Sequence, residues 1–212
     1  SESGTNSQYL NLLPAEARRG ITLTAIYGWK PGASLPVSGI NEDDYKMATQ
    51  IILWEYQQQL RSDPYSRHGN GHASADQYYS VIAGRPAEKA YNWILEQVAS
   101  HSTVPSFTSS SKDGAPELEL KWDSEQRVYT LTVTDTNNLG IDLDLLSGSG
   151  VSVTRNGNQY TFTSKDMIMD PVTFEFRKDI PVANDMLIWG RPGYQTMMTG
   201  ASDPVSFFVK IK

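Results

Sequence analysis

The spacing of apolar residues changes near Thr103-Val104-Pro105, and this change constrains the fold more than any other feature of the chain. Before this point the apolar residues recur at helical spacing, and after it they alternate with polar residues as they do along half-buried strands. The change divides the chain into a helical portion, residues 1–104, and a β portion, residues 105–212. The predicted fold class is α+β, with the N-terminal helical portion packed on a C-terminal antiparallel β-sandwich or barrel.

Three helices are predicted in the helical portion, beginning near Pro14, after Asn41 and at Pro86. Gly20 weakens the later part of the first helix, toward Tyr27. The second helix has the clearest pattern, because Asn41 is a good N-cap and three acidic residues follow it in the first turn. Apolar residues then surround most of this helix as far as Trp54, so we expect it to be buried on several sides. A loop is predicted from residue 62 to about residue 77.

Seven strands are predicted in the β portion, at residues 117–122, 127–134, 141–145, 151–154, 159–163, 172–177 and 205–211. Asn156-Gly157-Asn158 separates two of them, and an Asn-Gly pair between alternating strands is the strongest short signal for a hairpin. The spacing of the strands is typical of a sandwich or a barrel.

Composition limits the classes of partner and cofactor. The chain of 212 residues has a net charge of −6 and no run of Lys and Arg, which argues against binding to nucleic acid. It has no stretch of about 18 apolar residues, so no membrane insertion by this domain is expected. It also contains no cysteine, which excludes disulfides, thiolate metal sites and cysteine nucleophiles among these residues. We expect no cofactor.

Two segments have a partial metal-site pattern. His68 and His72 lie four residues apart, but the glycine-rich sequence between them disfavours the helix that would bring both rings together. Residues 135–140 resemble the start of a calcium-binding loop, but Leu146 stands where a bidentate Glu is needed. A solvated loop and a turn between strands explain these segments better, so no metal site is predicted.

Enzymatic signatures are weak. Four carboxylates lie at alternating strand positions, which is the pattern of outward-facing residues on a half-buried sheet: Glu117, Glu119, Asp142 and Asp144. A pair of them in a cleft would be needed for glycoside hydrolysis. No nucleophile elbow, phosphate-binding loop or dinucleotide fingerprint occurs. We therefore expect that the protein is not an enzyme, and a secreted hydrolase ranks last among the hypotheses.

Gln50 lies in the middle of the most apolar helix pattern of the chain. Such a residue is either an ordinary buried amide or an acyl donor that awaits a thiol. Because the chain has no cysteine, the second reaction cannot be completed by these residues alone.

Thr49-Gln50-x-x-Leu53-Trp54, after Tyr27-Gly28 and the acidic helix start at Asp43-Asp44-Tyr45, resembles the thioester domain of Gram-positive surface adhesins and pilus-tip proteins. That family has a Thr-Gln-x-Ala motif, a Cys near an aromatic residue in an N-terminal segment, and a late pair of an apolar residue and Gln. Tyr194-Gln195 resembles the late pair. The resemblance extends from about Ile21 to Lys212.

The chain departs from the family pattern at two points. Ile52 stands at the Ala position, and the Cys is missing. The simplest explanation is that the Cys-bearing strand lies upstream of Ser1. A second is a relative without Cys that adheres without covalent chemistry, and a third is a serine in place of the Cys, such as Ser3 or Ser7.

The resemblance implies a mechanism and assigns its residues. Gln50 would be the acyl donor of an internal Cys-Gln thioester, Thr49 and Gln195 would support its carbonyl oxygen, and Trp54 and Tyr194 would form walls of the pocket. A lysine amine of a host extracellular or cell-surface protein would then open the thioester. The implied location is extracellular, at the bacterial cell surface, with cell-wall anchoring through regions outside this chain.

A non-covalent surface module that binds carbohydrate or protein is the alternative. It would use exposed Tyr and Trp side chains of the β portion, and Gln50 would then be only a structural residue.

Overall fold

The computed structural model describes residues 13–61, 76–180 and 203–212. They form two compact units. The helical unit comprises residues 13–61 and 76–101 together with Asp203, and the β unit comprises residues 102–180 and 204–212. All described helices lie in the first unit and all described strands in the second, which confirms the α+β fold class.

The described part of the helical unit contains four helices: α1 (Ala15–Tyr27), α2 (Glu42–Gln57), α3 (Asp76–Tyr79) and α4 (Pro86–Ser100). The structure confirms the three predicted helices. The single turn of α3 was not predicted, because it begins inside the span interpreted as a loop.

Local sequence accounts for the ends of α1 and α2. Helix α1 ends where the Gly28 N–H donates to the Thr24 carbonyl at 2.7 Å. Helix α2 begins with a capping box, in which Asn41 and Asp44 each accept a hydrogen bond from the other's backbone N–H at 2.9 Å. Gly20 fits inside α1 because the Tyr56 ring lies against it, and a Cβ at this position would be 2.2 Å from the Tyr56 Cε1 atom.

Helix α2 is the centre of the helical unit and is buried on several sides, as its pattern predicted. The interior of the unit also holds polar groups. Glu55 is fully buried, and its Oε2 atom accepts hydrogen bonds from Arg61 at 2.9 Å and from the Tyr91 hydroxyl at 3.0 Å. Burial raises the pKa of Tyr91.

The β unit contains eight described strands: β1 (Glu117–Leu118), β2 (Lys121–Asp123), β3 (Val128–Thr134), β4 (Asp144–Ser147), β5 (Ser152–Asn156), β6 (Gln159–Ser164), β7 (Val172–Arg177) and β8 (Ser206–Ile211). They form two sheets of four strands, in the orders β1-β8-β7-β4 and β2-β3-β6-β5. Neighbouring strands are antiparallel except for β1 and β8, which are parallel.

The predicted hairpin is confirmed, since Asn156 pairs with Gln159 and Gly157 has a φ of +60°. The single strand predicted at residues 117–122 is wrong. It is divided into β1 and β2, which belong to different sheets. The chain turns between them at Leu120, which is buried and whose N–H donates to the Lys212 carbonyl at 2.7 Å.

Both sheets contribute side chains to one hydrophobic core, which is rich in Phe. Its buried members are Phe107, Leu120, Tyr160, Phe162, Phe174, Phe176, Phe207, Val209 and Ile211. The alternation of buried and less buried residues along β6, β7 and β8 matches the period that predicted these strands.

Candidate functional site

Gln50 lies on the half-buried face of α2. Residues four apart on a helix are neighbours on its surface, so Gln50 lies between Lys46 and Trp54 along one stripe. The Gln50 side-chain nitrogen, Nε2, is enclosed and has no hydrogen-bond partner among the described residues. Buried polar atoms without a partner are rare, because each costs about 1–3 kcal/mol. This amide group is therefore a candidate for a functional role.

Thr49 joins the turn that carries Gln50 to the segment after α1. Its hydroxyl donates to the Tyr45 carbonyl at 2.8 Å and accepts from the Trp29 N–H at 2.8 Å. Gly28 is so close that a Cβ there would lie 2.5 Å from the Thr49 Cγ2 atom and 2.5 Å from the Thr24 carbonyl oxygen. The Thr49 hydroxyl proton is thus directed to the backbone of its own helix in this arrangement.

A contact that involves an aromatic ring stands one turn to either side of Gln50. On the N-terminal side, the Lys46 ammonium lies 4.6 Å from the centre of the Trp29 ring and forms an ion pair with Glu42 at 3.3 Å. On the C-terminal side, the Trp54 and Tyr78 rings lie 5.1 Å apart. These pairs bound the surface on which Gln50 lies.

Tyr45 and Tyr27 connect the helices beneath this surface. The Tyr45 hydroxyl donates to the Tyr27 carbonyl at 2.5 Å, and both rings make edge contacts with Trp93 at 6.5 Å between ring centres. Burial raises the pKa of each tyrosine to about 12, and the charge of Asp203 adds to the effect at Tyr27. Both hydroxyls therefore stay protonated at neutral pH, and the Tyr45 hydroxyl donates its proton to the Tyr27 carbonyl.

A buried histidine continues this network and was not predicted from the sequence. The Tyr27 hydroxyl lies 2.7 Å from Nδ1 of His101, and Nε2 of His101 lies 2.9 Å from Asp203. Arg19 also binds Asp203, at 2.9 Å. Burial lowers the pKa of His101, and the Asp203 carboxylate partly opposes this shift. No local signal marks the cluster, because its hydrogen bonds join residues 74 and 102 positions apart.

Several predicted site residues fall outside the described part of the chain. They are Gln195 and Tyr194 of the late pair, and His68 and His72. Their roles stay predictions. Of the predicted residues that the structure describes, Gln50, Thr49 and Trp54 share one segment of α2.

The turn at residues 135–140 is organised by the carboxylate of Asp135, which is fully buried. It accepts backbone hydrogen bonds from Ser106, Asn137 and Leu139 at 2.9–3.0 Å. Its oxygens are thus used by the turn itself, in agreement with the interpretation of this segment as a turn. Among residues 13–61, 76–180 and 203–212, no group of three His, Asp or Glu side chains is arranged to hold a metal ion.

The strand carboxylates do not form a cleft pair in the described structure. Glu117, Glu119 and Asp142 are exposed, and Asp142 accepts a hydrogen bond from Arg155 at 2.7 Å. The side chain of Asp144 lies outside the described part. None of the helices within the described ranges is long and apolar enough to cross a membrane.

Comparison with known proteins gives one family and one structure. The sequence model of the family "Thioester domain" matches residues 1–100. The solved thioester domain of the Staphylococcus aureus TIE protein is similar at 16% sequence identity and a TM-score of 0.47, over 93% of this chain and 70% of that chain. No protein with a curated description matches.

The family match covers all four described helices, α1 to α4, and includes the Thr49-Gln50 pair. Residues 1–100 thus match the thioester-domain family, which confirms the resemblance inferred from the Thr49-Gln50 motif in a chain that contains no cysteine.

Proposed function

We propose that this chain is an adhesion module in which the Gln50 carboxamide is the acyl donor of an internal thioester. The thiol would come from a cysteine outside these 212 residues, so the chain as given does not form the bond. The observation that carries the proposal is the enclosed Gln50 Nε2 atom, which has no partner among the described residues. Because this amide nitrogen is desolvated and has no described hydrogen bond, its departure as ammonia breaks no described hydrogen bond to the protein.

The proposed reaction begins when the cysteine thiolate attacks Cδ of Gln50. The sulfur–carbon bond forms, the carbon–nitrogen bond breaks, and the nitrogen leaves as ammonia after it takes up a proton. Amides are poor electrophiles, so the site must hold both groups in attack geometry and exclude water. Helix α2 supports this requirement. The two neighbours of Gln50 in the chain, Thr49 and Ile51, are almost completely buried.

The second step joins the protein to its partner. A neutral lysine amine of a host extracellular or cell-surface protein attacks the thioester carbon, the carbon–sulfur bond breaks, and an amide remains. The thiol is not reset to a thioester, so each domain reacts once, and the protein is an adhesin, not an enzyme. We place it outside the cell, anchored to the bacterial cell wall through other regions of the protein.

Thr49 and Trp54 have supporting roles in this proposal. Thr49 binds the Trp29 N–H and the Tyr45 carbonyl, so it fixes the turn that carries Gln50. Trp54, packed on Tyr78, forms one wall of the reacting site. The proposal assigns Gln195 to support of the Gln50 carbonyl and Tyr194 to a second wall.

The test is the intact mass of the protein expressed from its whole gene. Thioester formation is expected to remove about 17 Da, the mass of ammonia, and the Gln50→Ala variant is expected to keep the full mass. Methylamine should then add to the wild type at residue 50, as located by peptide mapping. Asn92→Ala is a matched control, because Asn92 carries another enclosed side-chain atom without a described partner.

Three results would overturn the proposal: a gene that encodes no cysteine in its extracellular part, an unchanged mass of the wild type, or the same mass loss in Gln50→Ala. The 212-residue chain alone is expected to take up no methylamine. Uptake by this chain would disprove the need for an outside thiol.

Non-covalent binding is the second candidate, and one observation in the β unit favours it. The Trp122 side chain is 52% exposed and lies against Tyr129, with ring centres 5.0 Å apart. Exposed aromatic pairs are frequent in sites that bind protein or carbohydrate.

A further inference from the structure

One end of the β unit leaves part of an inward-facing surface uncovered. Trp122 on β2 pairs directly with Tyr129 on β3, so both side chains lie on the same face of the sheet. Tyr129 and Leu131 alternate along β3 and pack against the hydrophobic core. Trp122 therefore continues the core-facing surface, yet about half of it is exposed.

A cavity of about 250 Å³ lies beside Tyr129, the partner of Trp122 in this pair, and its walls are mostly apolar. Tyr129 lines it from β3, Leu120 lines it from the turn between β1 and β2, and Met167 and Met169 line it from the loop between β6 and β7. The two methionines are 59% and 73% exposed. Flexible methionine side chains at a surface adapt to an apolar partner.

The polarity and size of the cavity indicate the chemistry of its occupant. Its charged lining residues are Glu119 and Lys212, while five others are apolar or aromatic. A sugar would need a partner for each buried hydroxyl, and this lining offers too few. The volume is also below the roughly 300–1,000 Å³ of most small-molecule sites, and it suits one large side chain.

The backbone beside the cavity indicates the form of that partner. Strand β2 is at the edge of its sheet and pairs only with β3 among the described strands. The outward N–H and C=O groups of such an edge are a template for an added strand. A peptide on this edge would point alternate side chains toward the core-facing surface, beside Trp122.

We propose that an extended peptide segment of a partner protein adds to the outer edge of β2 and places one aromatic or branched aliphatic side chain in the cavity beside Tyr129. Backbone hydrogen bonds to β2 align the peptide, and its side chain fills the space between Tyr129 and Met169. This assigns a peptide, not a sugar, to the non-covalent alternative.

The experiment titrates the isotope-labelled protein with a short capped peptide in which threonine and valine alternate around a central phenylalanine. Binding is expected to shift the amide resonances of residues 119–123 and 129. Trp122→Ser and Met169→Ser should each weaken binding by at least about tenfold. Both residues are well exposed, so the variants are expected to fold. Leu145→Ser is the control, because Leu145 is 42% exposed on β4, in the other sheet, and should leave binding unchanged.

Two altered peptides separate the parts of the proposal. Replacing the phenylalanine by serine removes the side chain for the cavity, and methylating alternate backbone nitrogens removes the strand pairing. Both are expected to abolish binding.

Four outcomes would overturn the proposal: no shift at β2, shifts at β2 that persist with both altered peptides, equal weakening by Leu145→Ser, or shifts caused only by free sugars such as N-acetylglucosamine. Self-association that Trp122→Ser removes would assign the edge to a second copy of the chain and would also overturn it. The mass loss assigned to Gln50 should be identical in Trp122→Ser, so a failure of either proposal is recognised separately.

Discussion

The interiors of the two units differ in polarity. In the helical unit, Thr24, Thr49, Glu55 and His101 are buried together with hydrogen-bonded tyrosines. The β unit has a Phe-rich core, and its buried polar groups serve turns and strand ends. Burying polar groups costs stability unless each is paired. A polar interior is therefore stable only when its hydrogen bonds are formed. The difference indicates that hydrogen-bonded polar groups organise the interior of the helical unit, whereas apolar packing organises the interior of the β unit.

The largest expected effect on stability comes from breaking the buried ion pair of the helical unit, and it tests whether such pairs hold the polar interior together. Glu55→Gln keeps the shape of the side chain but removes the carboxylate charge that pairs with the buried Arg61 guanidinium at 2.9 Å. We expect a loss of about 3–5 kcal/mol in the free energy of unfolding. The measurement is urea unfolding, combined with amide hydrogen exchange that reports α2 and β6 separately.

The matched control for this prediction is Glu119→Gln in the β unit. Glu119 pairs with Lys121 at 3.6 Å, and both side chains are mostly exposed. Its loss is expected to cost less than about 1 kcal/mol. Equal losses in the two variants would contradict the contrast between the units.

A smaller effect on stability is expected when the Thr49 hydroxyl is removed. Thr49→Val keeps the branched shape but leaves the Trp29 N–H without its acceptor, so we expect a loss of about 1–3 kcal/mol. Thr132→Val is the control, because Thr132 lies on an exposed face and bonds only to the Thr161 hydroxyl in the described structure. Its expected change is within about 0.5 kcal/mol. Thermal unfolding of both variants checks the prediction, and an equal change in the two would refute it.

Sequence reasoning succeeded where the cause of a structure is local. The cap at Asn41 and the turn at Gly157 depend on a few consecutive residues, and both are confirmed. It failed at residues 117–122, where alternation predicted one strand. The division into β1 and β2 depends on β8, which lies about ninety residues later, and alternation carries no information about a change of sheet.

The candidate site divides in the same way. The Thr49-Gln50 pair is visible in the sequence, because it is a contiguous motif within one helix. The contacts of Tyr27 with His101, and of His101 with Asp203, join three distant segments and leave no periodic pattern. The packing of Gly28 on Thr49 is also a contact between segments, and only the structure explains why a residue without a side chain stands there.

The smallest expected effect is a dependence of stability on pH, and it concerns the buried His101. The pKa of His101 is lowered from its ordinary value of 6.5, chiefly by burial. Between that value and the lowered pKa, the unfolded chain binds a proton that the folded chain does not. The contribution of neutral His101 to stability is therefore present above pH 6.5. It is lost as the pH falls below this value toward the lowered pKa of His101 in the folded protein.

His101→Gln should remove this part of the pH dependence, because glutamine can still accept from Tyr27 and donate to Asp203 but does not titrate. The check compares unfolding free energies of the two proteins between pH 7.5 and pH 5.0, with the ring resonances of His101 followed by NMR. Groups that do not contact residue 101 contribute equally in both proteins, so their contribution cancels in the difference. A wild type that becomes more stable than the variant on acidification would mean that the Asp203 carboxylate outweighs burial, and that the surroundings of His101 favour its charged form.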